Sequence, residues 1–153
     1  MKKINTHNID WELVAKGFGL SLEKTIDMFD DGRMMGRVGE FLHESSKNGS
    51  RQNENSSFDV EETNGIKSEI RCITNTVSFA ASNQVGSGRK VTEDGFNKKL
   101  DSVDRFILID KRLLSEGQVS LIEVSKEDVI NLGLGKKKSM TANKFFKKYD
   151  RVK

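Results

Sequence analysis

The chain has one cysteine and no proline among its 153 residues. A lone cysteine, Cys72, excludes an internal disulfide and any metal site built from several cysteines. Without proline, the turns depend on glycine, asparagine and serine. No apolar run reaches the roughly 18 residues that a membrane span requires, and the first residues lack the apolar stretch of a signal peptide. The sequence therefore predicts a cytoplasmic protein without a membrane segment.

Acidic residues are scarce in the segment 136–153, which contains eight lysines and arginines and a single aspartate. This segment has a net charge of +7, so the other residues together carry −4 of the overall +3. A basic segment beside a mildly acidic body favours a polyanionic partner. The ordinary alternative is a solvated, lysine-rich helix end.

Two runs of alternating side chains flank Asn64-Gly65, a pattern that is typical of a β-hairpin. A two-residue loop would mix apolar and charged groups on each strand face. A three-residue loop, Thr63–Gly65 with Gly65 in the left-handed conformation, separates the faces, and a one-residue slip destroys that separation. We therefore predict the second register. It places Phe58 opposite Ile70 and Val60 opposite Ser68 on one face, and Asp59 opposite Glu69 and Glu61 opposite Lys67 on the other.

The predicted register brings two acidic residues, Asp59 and Glu69, directly opposite each other. Like charges in this position destabilise a hairpin by up to about 1 kcal/mol. A hard divalent cation with oxygen ligands would remove the repulsion. The alternative is a solvent-exposed strand face whose charges have no functional role.

The remaining pattern predicts an α/β protein of one domain, residues 1–153, with a central mixed β-sheet flanked by helices. A helical N-terminal part covers 9–45, a core covers 57–132, and the basic segment follows at 136–153. In the helix from Arg33 to Ser45, the predicted apolar stripe is Met34, Val38, Phe41 and Leu42. A later helix is predicted to place Phe96, Leu100 and Val103 inward and Lys98 and Lys99 outward. Buried strands are predicted at Arg105–Asp110 and Val119–Val124, and Ser125 with Asp128 predicts a capping box.

The order of a helix, an acidic hairpin, a helix and a strand resembles the PD-(D/E)xK nuclease superfamily, and within it the type II restriction endonucleases. Asp59 stands where that family has its first aspartate, and Glu69-Ile70-Arg71 stands where it has Glu-x-Lys. Glu40, in Gly36-Arg37-Val38-Gly39-Glu40, resembles the additional glutamate of the preceding helix. The similarity covers roughly residues 33 to 110.

The resemblance implies a restriction-endonuclease-like core and Mg²⁺-dependent, site-specific hydrolysis of double-stranded DNA. Asp59, Glu69 and the carbonyl of Ile70 would hold Mg²⁺, with Glu40 as a further ligand; an ordinary helical ion pair is the alternative for Glu40. Arg71 replaces the family's lysine, and arginine cannot act as a general base because it stays protonated. It can still donate to a phosphate, and Lys67, on the same predicted strand face, is a second candidate for the lysine's role.

DNA contacts are predicted around the glycine-rich stretch 82–90 and in the basic segment. Lysine and arginine would hold phosphates, and arginine and asparagine suit base edges. A flexible connection is the alternative for 82–90. A chain of this length favours a homodimer on a palindromic target. The residues proposed to bind DNA are Asn83, Gln84, Arg89, Lys90, Lys98, Lys99, Lys136, Lys137 and Lys138.

Overall fold

The computed structural model describes residues 1–52, 56–79, 93–134 and 139–151. Its strands are β1 (Lys2–Asn8), β2 (Ser50–Arg51), β3 (Val60–Glu61), β4 (Lys67–Cys72), β5 (Thr76–Ser78), β6 (Arg105–Asp110), β7 (Gln118–Ser125) and β8 (Ser139–Thr141). Its helices are α1 (Trp11–Phe18), α2 (Leu22–Asp30), α3 (Gly32–Lys47), α4 (Glu93–Ser102), α5 (Lys126–Asn131) and α6 (Ala142–Tyr149). No helix in these ranges is long and apolar enough to cross a bilayer.

Six strands form one mixed sheet in the order β1-β7-β6-β4-β3-β2, and β5 pairs with β8 in a second, two-stranded sheet. Strands β4 and β6 are parallel, and the other pairs are antiparallel. The predicted mixed sheet flanked by helices is therefore confirmed.

Both faces of the central strands are covered. Phe106, Ile107, Leu108 and Ile109 of β6 are completely buried, as the near-continuous apolar run of a central strand requires. Alternate residues enter two clusters. Ile107 and Ile109 pack with Trp11 and Met35 in the α1–α3 core, while Phe106 and Leu108 pack in the α4–α6 core with residues of those helices.

Strand β1 lies outside the core that the sequence predicts at residues 57–132. It pairs with β7, with a shift in register between Lys3 and Asn5. The Met1 ammonium group donates to the Asp128 carboxylate at 2.7 Å. A polar edge strand such as Lys2–Asn8 gives little apolar alternation, so pairing with a buried neighbour decides its structure.

The helix stripe predicted for α3 is right at Val38 and Leu42, which are partly buried against the α1–α3 core, and wrong at Met34 and Phe41, which are exposed.

The fully buried residues of α3 are Met35, Gly39 and His43. The missing side chain of Gly39 lets the helix approach the sheet closely at Ile109 and Ile70. A pattern of apolar side chains does not reveal a contact made by a glycine.

Gly39→Ala is expected to destabilise the protein by about 1–3 kcal/mol, because a Cβ there would overlap the buried Ile109 side chain. Gly36→Ala, in the same helix, is the matched control. A Cβ at Gly36 would meet nothing within 4 Å, so alanine should be neutral or stabilise by up to about 1 kcal/mol. Urea denaturation of both variants checks this, and equal effects would contradict the close approach at Gly39.

A buried polar network fixes the hairpin to the sheet. Glu62 accepts from His43 Nε2 at 3.1 Å and also pairs with Arg105. Arg105 in turn donates to Glu123 at 2.6 Å and to Ser68 Oγ at 3.2 Å. Burial lowers the pKa of His43, which favours its neutral form. Each buried charge in this network has a partner, as burial requires.

Candidate functional site

The hairpin between β3 and β4 adopts the predicted register. Val60 pairs with Ser68 and Glu61 pairs with Lys67. Gly65 has φ of 80°, the left-handed conformation that the three-residue loop requires. The loop is closed by the Glu62 N–H, which donates to the Ile66 carbonyl at 2.9 Å.

The prediction for Phe58 is wrong, because the chain bends before β3 begins. Phe58 packs against the α4–α6 core instead of sharing a face with Val60 and Ile70, which lie in the α1–α3 core. The Lys67 ammonium lies 5.1 Å from the centre of the Phe58 ring. Lys67 therefore makes a cation–π contact with Phe58, and its role as the family lysine stays a prediction.

Asp59 lies at the bend, one residue before β3, between the two strands that flank β3. Its N–H donates to the Ser68 carbonyl at 3.1 Å, and its carbonyl accepts from the Gln52 N–H at 2.8 Å. Its Oδ2 accepts from the Ile70 N–H at 2.7 Å. Because the N–H and C=O of a residue in a strand point to the same side, the Ile70 carbonyl also points to this edge of β4.

The Asp59 carboxyl group is held among other carboxylates. Its pKa is raised to about 6, first by burial, then by the negative charge of Glu69 and, more weakly, by that of Glu40. The Ile70 N–H and the Arg71 charge oppose this rise. Burial and the charges of Glu69 and Glu40 thus make ionisation of Asp59 costly. The predicted pairing of Asp59 directly opposite Glu69 is not part of the β3–β4 ladder, which consists of the Val60–Ser68 and Glu61–Lys67 pairs.

Glu69 is buried on the α4 side of the sheet and is held by two cations. Its Oε1 accepts from Arg71 Nη2 at 2.5 Å, and its Oε2 accepts from Lys99 Nζ at 2.6 Å. Lys99 also donates to the Ser57 carbonyl at 2.7 Å. The predicted outward position of Lys99 is therefore wrong, because α4 supplies this lysine to the Glu69 carboxylate; its contact with DNA stays a prediction.

Helical spacing in the sequence indicates in part that Lys99 lies near the buried face of α4. Phe96 and Val103 are buried, and Lys99 lies three residues after Phe96, so it borders the inward stripe. Lys98, one residue earlier, is exposed as predicted. What spacing could not show is that the bordering position faces Glu69, which is 30 residues earlier in the chain.

Glu40 reaches the site from α3, on the other side of the sheet. Its Oε2 accepts from Arg37 Nη1 at 2.9 Å and lies 3.9 Å from Arg51 Nη1. The ordinary helical ion pair is therefore present. The negative charge of Glu40 also contributes weakly to the raised pKa of Asp59. The role of Glu40 as a metal ligand stays a prediction.

The other predicted DNA contacts, Asn83, Gln84, Arg89, Lys90, Lys136, Lys137 and Lys138, lie outside the described residues. Within the described ranges, no group of three or more histidine, cysteine, aspartate or glutamate side chains is arranged to hold a metal ion. A smaller oxygen site is compatible with the geometry, because no described residue donates to Oδ1 of Asp59. Comparison with known proteins finds no matching family model, curated protein or solved structure.

Proposed function

We propose that the protein is a Mg²⁺-dependent, site-specific endonuclease that hydrolyses phosphodiester bonds in double-stranded DNA and has a restriction-endonuclease-like core. The observation that carries the proposal is the position of Asp59 at the edge of β4, where its carboxyl group accepts from the Ile70 N–H and feels the negative charge of Glu69, to which Arg71 and Lys99 are bound. Carboxylates beside fixed cations suit a reaction in which negative charge grows on a phosphate.

The oxygen atoms at this edge fit a hard cation. Asp59, Glu69 and the Ile70 carbonyl would hold Mg²⁺, which prefers one or two carboxylates and keeps several of its waters. Asp59 supplies a carboxylate whose pKa is raised first by burial and then by the negative charge of Glu69. When bound, Mg²⁺ acidifies a water and neutralises charge on the phosphate.

The chain's own residues would orient the phosphate. Arg71 donates one of its N–H groups to Glu69, and its side chain keeps 18% of its surface exposed. A guanidinium group carries five N–H donors, so an exposed one can bind a phosphate oxygen while Glu69 fixes the side chain. Lys99 is the residue that can take the family lysine's role, because it is already within hydrogen-bond distance of the Glu69 carboxylate.

The direct test is incubation of the purified protein with mixed-sequence duplex DNA, with and without Mg²⁺. Discrete fragments that appear only with Mg²⁺ would support a site-specific nuclease. DNA that is retarded on a gel but uncut would support a binding protein, and unretarded, uncut DNA would exclude both.

Lys99→Gln is expected to reduce cleavage at least about tenfold, because it removes a cation beside the reacting phosphate. Lys98→Gln is the matched control, since it removes the same charge from the exposed side of α4. Initial cleavage rates at saturating Mg²⁺ compare them. Equal losses in the two variants would mean that Lys99 acts only through general attraction of DNA.

A non-catalytic DNA-binding protein is the second candidate function. It is favoured by the occupation of both Glu69 oxygens, one by Arg71 and the other by Lys99. In this case the carboxylate would serve as a structural counter-ion, and Mg²⁺ would have to displace Lys99.

Our proposal also includes a homodimer, because a symmetric pair of sites matches a palindromic duplex.

A further inference from the structure

Arg51 lies beside the proposed active site, although the sequence pattern does not mark it as a functional residue. It belongs to β2 and pairs with Val60 of β3, one residue from Asp59. Its backbone N–H donates to Glu44 Oε1 at 3.2 Å, and its guanidinium carbon lies 4.1 Å from the centre of the Phe41 ring. The backbone of Arg51 is thus bonded to α3, and its guanidinium group lies over the Phe41 ring of the same helix.

The Arg51 guanidinium group makes no hydrogen bond with any residue that the structure describes. Glu40 Oε2, the nearest charged partner, is 3.9 Å from Nη1, beyond hydrogen-bond distance. Nη1 itself is buried and has no hydrogen-bond partner. A buried donor that is left unpaired is destabilising, and the more so when it belongs to a charged group.

This arrangement differs from that of an arginine with a purely structural role. Arg105, for comparison, donates to Ser68 and Glu123 and pairs with Glu62. Arg51 is more than a quarter exposed and has a planar fork of donors, supported from below by an aromatic ring. Such a fork matches two oxygens of a phosphate group.

The position of Arg51 relative to Arg71 indicates which phosphate it would meet. Arg71 and Lys99 approach from the α4 side of the sheet, whereas Arg51 approaches from the α3 side, next to Glu40. Asp59 links the two sides, because it bonds to the neighbours of both arginines, Gln52 and Ile70. Arg51 and Arg71 therefore flank Asp59, each one residue away from a backbone N–H group that bonds to it.

We propose that Arg51 binds a backbone phosphate of DNA next to the one that is cleaved. This inference rests on the proposed function, since it assumes that DNA lies across the Asp59 edge. It makes Arg51 a positioning residue, which fixes the register of the strand but does not touch the reacting atoms.

Salt dependence of DNA retention tests the proposal without requiring cleavage. The affinity for a short duplex is measured in EDTA over a range of NaCl concentrations. Arg51→Gln should lower the slope of log affinity against log salt by about 0.9, the value for one lost phosphate contact. Arg37→Gln is the matched control, because Arg37 also pairs with Glu40; its slope should stay that of the unmodified protein.

Arg51→Lys guards against a simple folding defect, because it keeps the charge and the aliphatic contact with Phe41. We expect it to recover the salt slope but not the full affinity, since lysine lacks the bidentate fork. An unchanged slope in Arg51→Gln, an equal change in Arg37→Gln, or no retention of DNA by the unmodified protein would each overturn the proposal.

The two proposals fail separately. If Arg51→Gln loses one phosphate contact but the unmodified protein never cuts DNA with Mg²⁺, the nuclease function is wrong and the phosphate contact stands. If the unmodified protein cuts DNA and Arg51→Gln keeps the full slope, only the role of Arg51 is wrong. For an active enzyme, Arg51→Gln should raise KM about tenfold while kcat changes less than threefold, as expected for uniform binding.

Discussion

Glu69→Gln is expected to abolish Mg²⁺-dependent cleavage, with a loss of about a hundredfold or more. The substitution removes the charge that would hold Mg²⁺, and the electrostatic stabilisation that a catalytic metal provides is worth several kcal/mol, or at least two factors of ten. Glutamine is preferable to alanine here because it keeps an oxygen acceptor for Arg71 or Lys99. Cleavage of plasmid DNA with Mg²⁺, followed over time, measures the loss.

The structure shows why Glu69→Ala would be hard to interpret. Alanine would leave the Arg71 and Lys99 charges partly buried without their partner, which typically costs about 3–5 kcal/mol of stability. Glu61→Gln is the control for the loss of a hairpin carboxylate, because the cross-strand partner of Glu61 is Lys67. Full cleavage by a folded Glu69→Gln protein would refute the site.

The hairpin register could be predicted from sequence because its determinants are local. Alternation with a period of two and a glycine at a left-handed position are both visible in fewer than twenty residues. The same logic failed at Phe58, where the strand has not yet begun and the backbone bends. Alternation predicts a face only where the chain is extended.

Contacts between distant segments were the part that sequence could not supply. Lys67 and Lys99 are equivalent as charges, and only the packing of α4 against β4 decides which one reaches Glu69. Similarly, nothing local pairs His43 with Glu62 or Glu62 with Arg105. The sequence does not mark Arg51 as functional, because its proposed role depends on its position beside Asp59 and Glu40, which only the fold determines.

Asp59→Asn is expected to stabilise the protein at pH 8, by up to about 3 kcal/mol. The pKa of Asp59 is about 6 in the folded protein, against 3.8 for an unperturbed aspartate, and one pKa unit corresponds to about 1.4 kcal/mol. The unmodified protein must hold this group ionised above pH 6, among Glu69 and Glu40, whereas asparagine is never charged. Urea denaturation at several pH values measures the difference.

The direction of the pH dependence follows from proton binding. Between about pH 4 and pH 6 the folded state binds more protons than the unfolded state at Asp59, so stability falls as pH rises through this window. The full contribution is present below pH 3.8 and is lost above about pH 6. The advantage of Asp59→Asn should therefore disappear near pH 4. Asp101→Asn, which removes a charge from the exposed side of α4, should show no such dependence.

Repeating the urea denaturation with Mg²⁺ tests whether Asp59 holds the ion. If Asp59 holds the ion, Mg²⁺ should stabilise the unmodified protein at pH 8, because a ligand that binds only the folded state adds to its stability. The gain should shrink below pH 6, where a proton competes for the carboxylate, and should be absent in Asp59→Asn. An equal gain in both proteins would place the ion elsewhere. A stabilised, Mg²⁺-insensitive Asp59→Asn protein would show that this carboxylate is retained for its chemistry at a cost to the fold.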